Sequence, residues 1–232
     1  MKKTLIIFDI DGTLLYSNKI DSQCFAVAYK TVFGKTFPTI DWREFPHVTD
    51  DTIFKTAFKA HHNRWPEPAE EETFRDHFVA LIEEKRKTNP TEFKEVPGSK
   101  NTIDQLLKDD QYLVGIGTGG WEKPANVKLK HLHINTQNVY MSCADNQPTR
   151  EAILEKAIAA AKATNDSIER IVYVGDAIWD VQTTRNMQLN FLGIRRAGDH
   201  EVLAEAGAKN IITDYSDYNY FLDQIGKAIP PL

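Results

Sequence analysis

Two aspartates stand two residues apart at the end of an apolar run near the start of the chain. Asp9 and Asp11 follow residues 4–8 and continue into Gly12 and Thr13, a DxDGT pattern. A short apolar run that ends at a charged turn is typical of a strand buried on both faces. In open α/β sheets, ligands bind beyond the carboxyl ends of the strands. The pattern therefore favours an acidic binding pocket over a turn in which aspartates only cap backbone groups.

A second pair of aspartates follows another apolar run. Asp176 and Asp180 come after residues 171–174, where an aspartate is also a common helix cap. If the strands before the two pairs are neighbours, all four carboxylates converge on one small volume. Carboxylates this close cannot all remain ionised unless a cation offsets their repulsion. Oxygen ligands with room for water and phosphate suit Mg²⁺, so the sequence predicts a magnesium site.

A glycine-rich turn follows a third apolar run, residues 112–116. Thr118 and Gly119 lie in this turn, residues 117–120. A hydroxyl beside free backbone N–H groups at the start of a helix is an arrangement that binds phosphate oxygens. The turn therefore predicts a phosphate-binding site.

The same glycines leave a competing interpretation open. Gly115, Gly117 and Gly120 fit the GxGxxG pattern of dinucleotide-binding proteins, and Asp145 lies where a ribose-binding acid is expected. This alternative leaves both aspartate pairs unexplained, and it uses Gly115, which we expect inside the strand.

A phosphoryl group in transfer needs a positive side chain to offset its charge. Arg150 follows Thr149, a suitable N-cap, at the start of a helical pattern that leads to the strand before Asp176. The helix dipole disfavours an arginine in this first turn, which favours a functional reason for Arg150. Lys123 and Lys156 are the alternative cations.

The order of elements predicts an α/β fold with a doubly wound parallel sheet. Helical patterns separate the apolar runs, and such alternation is typical of a parallel sheet covered on both faces. The predicted strands lie in residues 4–8, 112–116, 171–174 and 191–194, with weaker candidates in 139–141 and 211–212.

Residues 17–95 break the alternation with three helical patterns and no convincing buried strand. The first pattern stops at Gly34, a good residue after a helix end, and the second covers residues 51–61. The third carries acidic residues near its start and basic residues at its end, which suits the helix dipole. We therefore predict an α/β core of residues 1–16 and 96–232, interrupted by an all-helical cap of residues 17–95.

Composition and charge argue against nucleic acid and membrane as partners. The net charge of −5 gives no basic face for nucleic acid, and no apolar stretch approaches the length of a membrane span. The two cysteines, Cys24 and Cys143, lie far apart and form neither a disulfide framework nor a zinc site. The sequence predicts a cytoplasmic protein with a small-molecule partner and sets no oligomeric state.

The order of these motifs resembles the haloacid dehalogenase superfamily of phosphatases. DxDGTL, Thr118, a basic residue and GDxxxD occur in the family's order over essentially the whole chain, and the helical insertion resembles the family's cap. The resemblance implies a Mg²⁺-dependent phosphatase that hydrolyses a small phosphorylated metabolite through an aspartyl-phosphate. It implies that Asp9 is the nucleophile, Asp11 the general acid and base, and Thr118 the phosphate-binding hydroxyl.

The resemblance also implies a ligand set and a cap contribution. Mg²⁺ would be held by Asp9, the Asp11 carbonyl and Asp176, with Asp180 in support. In similar proteins the segment that starts the second cap helix faces the site, so Thr49 and Asp50 are candidate substrate-binding residues, although either could simply cap that helix. A phosphomutase of the same superfamily remains the alternative.

One position departs from the family pattern. Gln147 and Pro148 stand where phosphoglycolate phosphatases have Lys-Pro, so the predicted phosphate-binding cation is Arg150.

Overall fold

A six-stranded parallel sheet forms the centre of the computed structural model, which describes residues 2–232. The sheet order is β5-β4-β1-β6-β7-β8, and every neighbouring pair is parallel. A short antiparallel ribbon joins β2 and β3. The strands are β1 (Lys3–Phe8), β2 (Leu15–Tyr16), β3 (Lys94–Glu95), β4 (Tyr112–Gly117), β5 (Val139–Ser142), β6 (Ile168–Gly175), β7 (Asn190–Ile194) and β8 (Ile211–Ile212).

Helices cover both faces of the sheet, which confirms the predicted fold class. Side chains of β1 alternate between two apolar clusters: Ile6 and Phe8 pack on one face, and Leu5 and Ile7 on the other. The helices are α1 (Asn18–Phe33), α2 (Asp50–His62), α3 (Pro68–Thr88), α4 (Ser99–Leu106), α5 (Glu122–His131), α6 (Arg150–Thr164), α7 (Ile178–Asn186), α8 (Glu201–Glu205) and α9 (Tyr218–Lys227).

The register of the central strands brings the predicted motifs to one edge. Phe8 of β1 lies opposite Ile116 of β4 and Val174 of β6. The last four residues of each of these strands are apolar and buried, so burial on both faces sets their pairing there. The segments that follow Phe8, Ile116 and Val174 therefore leave the sheet side by side.

Helices α1, α2 and α3 lie between β2 and β3. Helix α1 ends at Phe33, and Gly34 follows it with a φ of 67°, the left-handed conformation that favours glycine after a helix end. Residues Leu15 and Glu95 pair in the ribbon, so the chain enters and leaves the insertion at one place. The boundaries 1–16 and 96–232 for the core, and 17–95 for the cap, stay a prediction.

An aromatic cluster packs the three cap helices together and against the core. Phe25 of α1 contacts Phe74 and Phe78 of α3, and it stacks on Trp121, which precedes α5. Phe54 of α2 stacks on Phe74 with ring centroids 4.6 Å apart. These rings are fully buried, and together they fix the orientation of the cap helices above the sheet edge.

Two further sequence expectations concern the whole chain. Cys24 and Cys143 are free thiols, in agreement with their separation in the sequence, and both are buried. Within residues 2–232, no helix combines the length and the apolar character that a membrane span requires.

Candidate active site

Three carboxylates meet beyond the ends of β1 and β6. One oxygen from each of Asp9, Asp176 and Asp180 lies within 4.8 Å of the others. All three side chains are buried, and Asp9 is 3% exposed. The Asp9 Oδ1 atom has no hydrogen-bond partner among the described residues. A buried oxygen without a partner at the centre of an acidic group fits a cation that binds there.

Burial shapes the ionisation of this group. Burial raises the pKa of Asp9 to about 7; the Arg150 guanidinium opposes the shift, and the charge of Asp180 adds to it. Burial also raises the pKa of Asp176 well above its ordinary value, with further contributions from Asp180 and Asp9. Negative charge is therefore costly here until a cation compensates it. The donor set of carboxylate oxygens is the kind that suits Mg²⁺.

Gly12 allows the two acidic segments to approach each other. Its φ is +80°, and a Cβ atom at this position would lie 2.0 Å from Asp176 Oδ2. The glycine of the DxDGT pattern is thus required twice, for the turn conformation and for the space that the Asp176 carboxylate occupies.

Arg150 lies beside the acidic group, as the sequence predicted. Its Nη1 donates to Asp180 Oδ1 over 2.8 Å and lies 3.8 Å from Asp9 Oδ2. Burial alone would lower the pKa of Arg150, but Asp180 and Asp9 raise it, so the guanidinium stays charged. The alternative cation Lys123 instead pairs with Asp76 on the surface.

Both oxygens of the Asp180 carboxylate are used in hydrogen bonds within the protein. Its Oδ1 accepts from Arg150, and its Oδ2 accepts from the Ala177 N–H over 3.0 Å. The Tyr173 hydroxyl lies 3.2 Å from Asp180 Oδ1 and 3.0 Å from the Gly117 carbonyl oxygen. Tyr173 therefore links the ends of β4 and β6, a role that the sequence analysis missed.

Thr118 and Gly119 line a cavity of about 110 Å³ together with Asp9, Asp11 and Arg150. The Thr118 hydroxyl is buried and accepts from the Gly120 N–H over 3.2 Å. A Cβ atom on Gly119 would lie 2.6 Å from the Val48 carbonyl oxygen of the cap. Gly119 thus permits the cap backbone to come close to the phosphate-binding turn predicted from the sequence.

The two cap candidates have different surroundings. The Thr49 hydroxyl accepts from the Thr52 N–H and donates to the Pro148 carbonyl, so Thr49 caps α2 and ties it to the core. Asp50 lines the cavity; its N–H donates to the Gly119 carbonyl over 2.7 Å, and its carboxylate accepts from the Trp121 N–H over 2.9 Å. Of the two, only Asp50 is placed to touch a ligand.

The carboxylate of Asp11 lies outside the group of three whose oxygens are within 4.8 Å of one another, although Asp11 lines the same cavity as Asp9 and Asp176. Lys128 Nζ lies 2.6 Å from Asp11 Oδ2 and also pairs with Asp21 of α1, while the Ser17 hydroxyl donates to Asp11 Oδ1. Burial alone would lower the pKa of Lys128, but Asp11 and Asp21 raise it. The buried ammonium of Lys128 attracts the Asp11 carboxylate, whereas the three other carboxylates repel it.

The sequence contains a signal that could have identified Lys128. It stands three residues after Ala125 and next to Leu129, two buried residues of α5. A lysine on the buried face of a helix rarely occurs without a partner, so the position of Lys128 alone predicts that a carboxylate pairs with it.

We expect Lys128→Met to destabilise the fold by about 3 kcal/mol, because it leaves two half-buried carboxylates without their cation. Burial already raises the pKa of Asp21 to about 6 despite the opposing charge of Lys128. Without that charge, the folded state would bind protons more tightly than the unfolded state, so the loss should grow as the pH rises from 5 to 8. Urea unfolding at both pH values measures it.

The control for this variant is Lys123→Met on the same helix. Lys123 is exposed and pairs only with Asp76 on the surface, so its replacement should cost less than about 1 kcal/mol at either pH. Equal losses of unfolding free energy in the two variants would contradict the stabilising role of the ion pairs that Lys128 forms with Asp11 and Asp21.

The chain belongs to the haloacid dehalogenase-like hydrolase family, whose model matches residues 6–194. It is 22% identical to a phosphoglycolate phosphatase from Agrobacterium fabrum over 217 residues, 91% of this chain and 89% of that protein. These matches confirm the family resemblance and the prediction of an enzyme, and the relative supports a phosphatase.

Solved structures of similar fold cover nearly the whole chain. A hydrolase from Pseudomonas syringae superposes with a TM-score of 0.71 at 20% identity, over 97% of this chain and 99% of that one. A β-phosphoglucomutase from Clostridium difficile gives 0.69 at 14% identity, over 98% of each chain. At these identities the likeness establishes the fold.

The glycines that suggested a dinucleotide site have a packing role instead. Gly115 and Gly117 both lie in β4. A Cβ atom on Gly117 would come within 2.6 Å of Leu154, and one on Gly115 within 3.0 Å of Ile7. Their spacing therefore serves the approach of α6 and β1 to β4, and the dinucleotide alternative loses its main support.

Proposed function

We propose that this enzyme is a Mg²⁺-dependent phosphatase that hydrolyses a small phosphorylated metabolite through a phosphorylated Asp9. The observation that carries the proposal is the buried group of Asp9, Asp176 and Asp180 beside the charged Arg150. Family membership and the phosphoglycolate phosphatase relative support the same activity. The cytoplasmic location stays a prediction from the sequence.

Asp9 is the proposed nucleophile. Asp9 lines the cavity together with Thr118, Gly119 and Arg150, which would hold a phosphoryl group there. A bond forms between an Asp9 oxygen and phosphorus while the bond from phosphorus to the alcohol oxygen breaks. Splitting the displacement in two in this way replaces one difficult step by two easier ones.

Asp11 is the proposed general acid and base. In the first step its carboxyl gives a proton to the leaving alcohol oxygen, and in the second it takes a proton from the attacking water. Water then releases inorganic phosphate and restores Asp9. Lys128 and Ser17 donate to the Asp11 carboxylate and hold it at the wall of the cavity that Asp9 also lines.

Asp9, Asp176 and the backbone carbonyl of Asp11 are the proposed Mg²⁺ ligands, with Asp180 in support. When bound, the cation would supply charge that offsets the phosphoryl oxygens and the buried carboxylates. Both Asp180 oxygens already accept hydrogen bonds, from Arg150 and from the Ala177 N–H. Asp180 therefore orients Arg150 toward the phosphoryl group, and this supports its secondary place among the ligands.

The experiment measures phosphate release from para-nitrophenyl phosphate and from a panel of phosphorylated metabolites. We expect release with Mg²⁺, loss of activity with EDTA, and recovery when excess Mg²⁺ is added. Full activity in EDTA would contradict the metal assignment. Transfer of phosphate within a sugar phosphate, without release, would instead favour the phosphomutase alternative.

We expect Arg150→Ala to lower kcat by about 10²–10³-fold, the range for loss of one preorganised charge donor at a reacting group. Arg150 also donates to the Val48 carbonyl of the cap over 3.0 Å. The matched control is Arg75→Ala, since Arg75 contacts Asp145 and Glu71 outside the acidic group. A similar kcat loss in both variants would contradict a specific phosphate-binding role for Arg150.

A further inference from the structure

Residues of both the core and the cap line the cavity beside Asp9. The core contributes Asp11 and the proposed phosphate-binding residues Thr118, Gly119 and Arg150. Asp11 accepts from Ser17 and shares Lys128 with Asp21, so this proposed proton donor lies next to the part of the lining that the cap contributes, here called the cap side. We therefore place the alcohol half of the substrate against the cap side, which consists of Asn18, Asp21, Ser22, Trp42, Val48, Asp50 and Ile53.

Two carboxyl groups and no free cation face the alcohol half. Asp21 and Asp50 line the cavity, whereas Arg150 is its only cationic lining residue in the part of the chain that the structure describes. Arg150 is engaged by Asp180 and the Val48 carbonyl. Lys128 is engaged by Asp11 and Asp21. An acidic group on the alcohol would therefore enter a region of like charge without an available partner.

The raised pKa values of the carboxyl groups on the cap side also disfavour an acidic group on the substrate. Burial raises the pKa of Asp21 to about 6 even though Lys128 opposes the shift. Burial also raises the pKa of Asp50, and the charge of Asp21 adds to this effect. This region already resists the negative charge of its own side chains, so it would resist that of a ligand.

We propose that the substrate is a phosphate monoester of a short alcohol that carries an amino or hydroxyl donor and no second acidic group. The inference rests on the proposed phosphatase activity. Asp50 and Asp21 accept hydrogen bonds from these donors, and Asn18 and Ser22 supply further polar contacts. The cavity of about 110 Å³ must hold the phosphoryl group as well as the alcohol, which favours a short alcohol.

A neighbouring open cleft of about 520 Å³ contains several cations. Lys19, Lys94, Arg195 and Arg196 line it together with Glu92, Asp176 and Asp199, and it shares only Asn18 and Asp176 with the cavity. None of these cations lines the cavity itself, so we expect none of them to pair with a group on a short alcohol. They would attract the phosphate dianion of any substrate toward the site.

The experiment compares three esters with two-carbon alcohols and the same phosphoryl group. O-phosphoethanolamine ends in an ammonium, 2-hydroxyethyl phosphate in a hydroxyl, and phosphoglycolate in a carboxylate. We expect kcat/KM for phosphoglycolate to be at least about tenfold below that of each of the other two, since like charges at a binding site cost more than about 1.4 kcal/mol. Equal or faster hydrolysis of phosphoglycolate would overturn the proposal.

Variants then test whether the named carboxyl groups cause the discrimination. Asp21→Asn should reduce the discrimination against phosphoglycolate by about tenfold, because it removes a carboxylate from the cap side. Asp50→Asn should reduce it less, because burial raises the pKa of Asp50 well above its ordinary value and so favours the uncharged carboxyl group. The side-chain oxygen of asparagine can still accept the hydrogen bond that the Trp121 N–H donates to the Asp50 carboxylate. The control Asp76→Asn removes an exposed charge paired with Lys123 and should leave the ratio unchanged.

Activity on para-nitrophenyl phosphate distinguishes a failure of the substrate proposal from a failure of the proposed phosphatase function. Discrimination that persists unchanged in both Asp50→Asn and Asp21→Asn, with aryl phosphate still hydrolysed, overturns the substrate proposal alone. Failure of the wild-type enzyme to release phosphate from every ester, the aryl phosphate included, overturns the proposed function and this inference with it.

Discussion

Asp9→Asn is expected to lower phosphate release by more than about 10⁴-fold, the scale seen when a nucleophile is removed from a preorganised site. The amide keeps the shape of the carboxylate but cannot attack phosphorus, and it removes a charged metal ligand. No direct hydrogen bond to Oδ1 is lost, because this atom has no partner in the described chain. Steady-state phosphate release at saturating Mg²⁺ measures the loss.

The fold of this variant should remain intact, and its stability provides the control. Burial raises the pKa of Asp9 to about 7, so the folded state binds a proton more tightly than the unfolded state. Stability contributed by the protonated form is therefore complete below the unfolded pKa and is lost as pH rises through about 7. Without metal, Asp9→Asn should raise the melting temperature at pH 8 and change it little at pH 4. Turnover within about tenfold of wild type would contradict the assignment.

Asp11→Asn is expected to slow hydrolysis of alkyl phosphates by about 10²–10⁴-fold, the usual contribution of general acid and base catalysis. Its backbone carbonyl can still contribute to the metal site, whereas the proton donor and later base is gone. An aryl phosphate has a leaving group that needs little protonation, so phosphorylation of Asp9 should continue with it. The second step should then limit turnover.

The measurement is a comparison of burst and steady-state phases on alkyl and aryl phosphates. Ser17→Ala is the matched control, because it removes one hydrogen bond to the Asp11 carboxylate and leaves the carboxylate in place. Its effect should be smaller and similar on both substrates. If Asp11→Asn lost activity equally on both substrates without a burst, Asp11 would have a structural role.

The parallel sheet could be predicted because its strands carry the information locally. Each central strand ends in a continuous apolar run, because its last residues are buried on both faces of the sheet. The segments that follow β1 and β6 then had to meet, since parallel neighbours end at the same edge. This is why Asp9, Asp176 and Asp180 were found together. Arg150 was predicted from its position in the first turn of a helix, where the dipole disfavours it.

The surroundings of Asp11 could not be predicted from the same reasoning. Its partner Lys128 lies 117 positions away in the chain, and the third member of the network, Asp21, belongs to α1. Their meeting depends on how α1 and α5 pack beside the sheet edge, which the aromatic cluster around Phe25 and Trp121 fixes. Periodicity shows which face of a helix is buried, but it does not identify the helix that covers that face.

The most direct test of the account is to identify the residue that carries the phosphoryl group. Asp11→Asn, mixed with an aryl phosphate and Mg²⁺ and quenched in acid within milliseconds, should accumulate phosphoenzyme, and borohydride reduction followed by peptide mass spectrometry should locate it at Asp9. The double variant with Asp9→Asn should give none. A phosphoryl group on another residue, or product formed in one turnover with no phosphoenzyme at any time, would contradict the proposed mechanism.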